Sequence, residues 1–196
     1  VASAIAGGTV SEISGGKFAN GAMTAAFQAA ASGMARGSRS GETGQAAKNP
    51  LSVLGDIAGK LWTLPNTIIG AVYGSVGHVV GEIGYAFGMY PVSPSIDFGN
   101  NAIQFLDNPF TLKDTAITVG NTISYGRGSN PSGFGAYGDS TVEIGRHEQA
   151  HTYQYQVLGP LFLPTYFLRG GISGPTGNPF EHAAQEYGSG RGGWWE

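Results

Sequence analysis

Glycine recurs at positions 70, 74, 77, 81, 84 and 88, in steps of four, three, four, three and four. That spacing puts a stripe of glycine along one face of a helix. Ile68, Ile69, Val72, Tyr73, Val76, Val79, Val80, Ile83 and Phe87 fill the other faces. Each interior glycine costs a helix roughly 1 kcal/mol relative to alanine, so the pattern survives only where something offsets it. One offset is close backbone packing against a helix or sheet; the other is small-residue contact within a membrane. From Leu61 to Gly81 no residue is charged when His78 is neutral, which reaches the length of a membrane span. Pro65, Asn66, Thr67, Ser75 and His78 dilute the run, and Glu82 ends it. The expectation is a buried core helix, with a membrane-active hairpin and a non-helical glycine loop as the alternatives.

Composition narrows the class. Of 196 residues 34 are glycine and only 12% are charged, about half the charge of an ordinary soluble domain. The net charge of −3 offers no basic stripe to phosphates and argues against nucleic acid as a partner. No cysteine is present, which excludes disulfides and thiolate metal sites and leaves histidine and carboxylate as the strong ligands.

Residues 1–48 read as a Gly/Ala-rich leader or linker, with Ala19–Ala31 able to form a short helix. The chain opens on Val1 without a basic, apolar leader and is read as a piece of a longer protein. Residues 49–196 are read as the folded domain. Asn49-Pro50 opens a helical segment that Pro65-Asn66-Thr67 interrupts before the glycine stripe. Alternation in 95–98, 102–105, 116–119 and 122–125, with turn signals at Gly99-Asn100-Asn101 and Gly120-Asn121, predicts a small, largely antiparallel sheet. Ser129 to Ser140 is a Gly/Pro/Ser loop. The fold class expected is α+β.

Beyond that loop stands Arg146-His147-Glu148-Gln149-Ala150-His151. On a helix, His147 and His151 project from one face at a separation that one zinc ion can bridge. Glu148 lies beside the first histidine, where its carboxylate can reach a water in the open coordination position. Two neutral nitrogen ligands, a Lewis acid and a base are the parts that metal-assisted hydrolysis needs. The plainer reading is a helix whose two histidines only make hydrogen bonds.

Catalytic zinc usually has three protein ligands. Asn178-Pro179 opens a helix carrying Glu181, His182 and Glu186. Glu181 shares a small-residue face with Ala184 and Gln185 and is the favoured third ligand, ahead of Glu186 and His182. The apolar ribbon Val157–Leu168, broken by Pro160 and Pro164, is expected as core beneath the site. Tyr153, Tyr155, Tyr166 and Tyr187 are candidates to stabilise an oxyanion, with Tyr187 and Tyr153 singled out.

The two-histidine helix followed by a later glutamate resembles the gluzincin class of zinc metallopeptidases over residues 115–187. The resemblance implies a zincin-like fold, with a small mixed or antiparallel sheet beside the active-site helix. It also implies that an edge strand within Ala116–Tyr125 takes peptide as an added strand. Position 185 is glutamine where the class often has an acid, and Glu186 is the alternative brace. The leader around Gly15-Gly16-Lys17-Phe18-Ala19-Asn20, the stretches Leu64-Pro65-Asn66-Thr67 and Gly99-Asn100-Asn101-Ala102-Ile103-Gln104-Phe105, and the site itself resemble toxin domains of Rhs-repeat polymorphic toxins. That implies an antibacterial effector, delivered by a type VI or related secretion apparatus into a target cell, in the periplasm rather than the cytoplasm. Its partners would be a protein or peptide substrate, an immunity protein and a delivery or Rhs shell protein, with membrane contact also open. The rival readings are a membrane-disrupting toxin and an inactive zincin-like binding module.

Overall fold

A computed structural model describes residues 50–195; the leader and its expected helix at 19–31 lie outside them. Helix α1 (Pro50–Trp62) leads through Thr63 into α2 (Leu64–Ala86), where Pro65 occupies the first turn, the position at which proline sacrifices no helical hydrogen bond. Strands β1 (Ser95–Gly99), β2 (Ala102–Leu106), β3 (Ala116–Val119) and β4 (Thr122–Tyr125) follow. The chain then forms α3 (Ile144–Leu158), a 3₁₀ turn (Gly159–Leu161), α4 (Phe162–Leu168) and α5 (Pro179–Gly188).

The sheet is mixed, in the order β1-β2-β4-β3. Its two hairpins are antiparallel, but β2 and β4 run parallel at the centre, with Gln104 opposite Ile123. The largely antiparallel sheet expected from sequence is therefore corrected at its centre. The segment 107–115 carries the chain past β4 to the far edge, and β4 then inserts beside β2. Both hairpin turns follow local chemistry. Asn100 and Asn101 both take positive φ (48° and 61°), as a type I′ turn requires. Gly120 takes φ 64°, and a β-carbon there would collide with the backbone of Thr67.

The glycine stripe is the face by which α2 meets the sheet. Gly70, Gly74, Gly77, Gly81 and Gly84 are buried, together with Asn66. A β-carbon at Gly70 would overlap Thr122, at Gly74 the Phe105 ring, at Gly77 the Asn108 side chain, and at Gly84 the Tyr90 ring. Close approach of this face offsets the helix cost, so the expectation of a buried core helix holds for the glycine stripe alone and is corrected for the apolar residues on the other faces. Gly88 belongs to a different device. At φ 70° it ends the helix: its N–H donates to Tyr85 O at 2.9 Å, and the Met89 N–H donates to Gly84 O at 2.8 Å. That pair of bonds is the Schellman arrangement. The outer face of α2 is the reverse of a soluble helix, since Ile68, Ile69, Val72, Val76, Val79 and Ile83 are all exposed. Among the described residues no helix is long and apolar enough to cross a membrane.

Strand alternation assigns the two faces of the sheet. Phe105 and Thr122 meet α2, while Ile123 and Tyr125 pack with Ile144 of α3 in a core completed by Ala102, Leu106 and Ala116. Every residue of β4 is buried, as a central strand covered on both faces must be.

Candidate metal centre

The position of α3 is fixed at its first turn. The amide of Ile144 donates to Gly133 O at 3.0 Å and that of Gly145 to Pro131 O at 2.8 Å, while Glu143 N donates to Gly188 O at 3.2 Å. The loop 129–140 thus satisfies donors that a helix start leaves open, and the same bonds hold the loop over the helix. At the other end Gly159, at φ 56°, terminates α3, and its carbonyl accepts from Asn66 Nδ2 of α2 at 2.8 Å.

One turn apart on α3, His147 and His151 are both buried, and their Nε2 atoms lie 3.2 Å apart. Helix α5 supplies the third group. Asn178 caps it by accepting from Phe180 N at 3.0 Å, Pro179 fills the first turn, and Ala183, Ala184, Gln185 and Gly188 form its buried face. A β-carbon at Gly188 would sit 2.9 Å from Val142 Cγ1 and 3.2 Å from His147 Cβ, so glycine there lets α5 close on α3. Glu181 is thereby set with Oε2 3.4 Å from His147 Nε2 and Oε1 3.4 Å from His151 Nε2. Ligand atoms of His147, His151 and Glu181 lie within 4.8 Å of one another, a group that could hold a metal ion.

Glu148 faces β3 instead. Its Oε2 accepts from Thr118 Oγ1 at 2.6 Å, and its Oε1 accepts from the Tyr137 hydroxyl. Tyr137 adopts φ 58°, and its ring centroid lies 4.3 Å from that of His147. The hydroxyl of Tyr166 donates to Glu181 Oε1 at 2.6 Å. Burial, reinforced by the charge of Glu148, holds the Tyr137 hydroxyl well above its ordinary pKa; burial and the charge of Glu181 do the same for Tyr166. Both phenols therefore stay protonated donors at the two carboxylates.

Without metal, the cluster keeps a proton. Burial disfavours charge on His151, but the charge of Glu181 and a hydrogen bond to it outweigh burial and lift the imidazole to about 9. Burial likewise opposes charge on Glu181, yet the two histidines hold its carboxyl far below the usual range. The donor set, two imidazole nitrogens and a carboxylate oxygen, suits zinc. His151 Nδ1 is also engaged by Gln154 Oε1 at 2.8 Å, which leaves Nε2 as the nitrogen facing the cluster.

The residues named from sequence divide cleanly. His147, His151 and Glu181 come together, with Glu148 beside them. Glu186 pairs with Arg191 at 3.0 Å and His182 lies on the exposed side of α5. Tyr187 donates to Gln149 Oε1 at 3.3 Å beneath Arg146, and the Tyr153 ring packs against Tyr187 and Trp194. Neither contacts the cluster: Tyr153 lies about 200° round α3 from His151, and Tyr187 about 240° round α5 from Glu181. The tyrosines at the carboxylates are Tyr137 and Tyr166. Of the apolar ribbon, Phe162 is buried near His151, while Leu161, Phe167 and Leu168 are exposed. Tyr137, Thr118 and Gln154 are not among the residues named from sequence. Only Gln154 carried a local signal, a polar residue three places after His151 and so on the same helical face.

No protein-family model, curated protein or solved structure matches the chain.

Proposed function

We propose that the chain is a single-zinc hydrolase with a zincin-like site, acting on peptide bonds. The observation that carries this reading is the convergence of His147, His151 and Glu181 from two helices, with the carboxylate of Glu148 at its side. His147, His151 and Glu181 would hold the ion. Zinc there would supply Lewis acidity and lower the pKa of a water in its open position. Glu148 takes up a proton and passes it on to the departing amine, and Thr118 keeps its carboxylate oriented. The Tyr137 hydroxyl, which holds one oxygen of that base, must give way for it to act, and it is then free to donate to a developing oxyanion. Among the described residues strand β3 pairs only with β4, so its outer edge offers main-chain groups to an extended peptide. Peptidoglycan cross-links and lipid esters are the substrate classes next in order.

The biological setting proposed is the toxin tip of a secreted antibacterial effector of Rhs type, neutralised by an immunity protein and acting in the target periplasm. The test is digestion of a peptide library by zinc-loaded wild type and Glu148→Gln protein. Cleavage by the wild type that chelation and Glu148→Gln both abolish, with zinc content unchanged in the variant, supports the reading. Full cleavage by Glu148→Gln overturns it.

A second reading, membrane disruption, rests on the apolar outer faces of α1 and α2, where Leu54, Leu61, Trp62, Ile69 and Val72 are half exposed or more. Such a face on a soluble protein marks a contact surface. Dye release from protein-free liposomes with zinc chelated would favour this reading; intact liposomes would remove it.

A further inference from the structure

We infer that Gln154 is a positioning residue that fixes the tautomer of His151, and so decides which imidazole nitrogen is offered to the metal. The inference rests on the metal-binding reading of the cluster and adds to it the device that orients one ligand.

Donors and acceptors around Gln154 can pair in one way only. Gln154 is fully buried on α3. Its amide nitrogen donates to Phe180 O at 3.0 Å and to Trp194 O at 2.9 Å. Carbonyl oxygens only accept, so the NH₂ end must face them, and both its protons are spent there. The amide oxygen is left 2.8 Å from His151 Nδ1. It too can only accept, so Nδ1 carries the hydrogen, and the lone pair of the neutral ring falls on Nε2, which faces His147 and Glu181.

His147 has no such lock. Its Nδ1 is buried without a hydrogen-bond partner among the described residues. The ligand set is therefore asymmetric: one histidine is preset by the fold and the other is not. The same amide reaches the carbonyl of Phe180, the residue before Glu181, and the tail at Trp194. One side chain thus ties the orientation of a ligand to the helix that brings the third ligand. A neutral amide does this without adding negative charge to a site that already holds two carboxylates.

Two substitutions separate positioning from bracing. Gln154→Leu removes the acceptor at His151 and both donors. Gln154→Glu keeps an acceptor at His151 but loses the donors and places a carboxylate against two carbonyls. If Gln154 sets the tautomer, Gln154→Leu weakens zinc binding about 10- to 100-fold, while Gln154→Glu stays close to wild type in affinity even though it melts lower. A mere brace gives the reverse order, with Gln154→Glu the weaker binder. Zinc titration calorimetry measures the affinities. Imidazole ¹⁵N–¹H correlation of zinc-loaded wild type reads the tautomer directly, with hydrogen on His151 Nδ1 expected. Hydrogen on Nε2, or Gln154→Leu within twofold of wild type, overturns the inference. If neither variant folds, the wild-type spectrum decides. If the wild type takes up no zinc, the metal reading fails, and the metal-free spectrum of the neutral ring still tests the lock.

Discussion

The two faces of the sheet are covered by helices that approach closely for opposite purposes. On one face, α2 presents glycines to Phe105, Thr122 and Asn108, and no charged side chain is buried on it. On the other, α3 buries His147, Glu148, His151, Thr152 and Gln154, and α5 closes over it through Ala183, Ala184 and Gly188. Small residues make both approaches possible. The difference is what the approach encloses. Burying ionisable groups costs stability unless partners satisfy them, and the α3 face gives those groups partners: Tyr137 and Thr118 on Glu148, Tyr166 and two histidines on Glu181. The glycine face holds the sheet in place, and the polar face concentrates charge where chemistry can use it.

The comparison breaks most sharply at Gly74. Gly74→Val drives a side chain into the buried Phe105 ring and should destabilise the fold by about 3 kcal/mol, measured by denaturant unfolding. An unchanged midpoint would mean that the stripe does not pack as described.

The polar face should respond to pH and to metal in opposite senses. His151 is raised to about 9, so its contribution to the metal-free fold is complete below about 6.5 and is lost as pH rises through 9. Glu181 is lowered, so its contribution is complete above about 4.5 and is lost as pH falls towards its lowered value. The metal-free protein therefore draws most from this pair between about pH 4.5 and 6.5, and less on approaching pH 9. Zinc must displace the proton on His151, so zinc affinity rises over the range in which metal-free stability falls. Melting curves with and without zinc at pH 6, 7.5 and 9 check the divergence; parallel curves would contradict it.

A finer test lies at β3. Thr118→Val leaves one oxygen of Glu148 without its donor. It should lower turnover about tenfold, or roughly 1.4 kcal/mol, with zinc content unchanged. The smallest effect is expected outside both faces: Val76 is half exposed, and Val76→Ser should change stability by less than about 0.5 kcal/mol.

Much of this was legible in the sequence because it is written locally. The strands at 116–119 and 122–125 alternate, and the Asn100-Asn101 and Gly120 turns use residues that positive φ favours. His147 and His151 declare their shared face by spacing alone, and the small-residue face of α5 pointed to Glu181. What was not legible depends on distant parts of the chain. Nothing near Tyr137 says that a glycine-flanked loop will be pinned to the start of α3 and carry that hydroxyl to Glu148. Nothing in β2 or β4 says that they pair in parallel, because that follows from the route of residues 107–115. The glycine period showed a helix but not that its branched apolar residues would face outward.

The central claim is that His147, His151 and Glu181 form one metal site. Elemental analysis of purified, zinc-reconstituted protein tests it most directly, with His151→Ala and Glu181→Ala beside the wild type. The account predicts one zinc per chain in the wild type and its loss in both variants; no zinc in the wild type, or zinc retained in both variants, would contradict it.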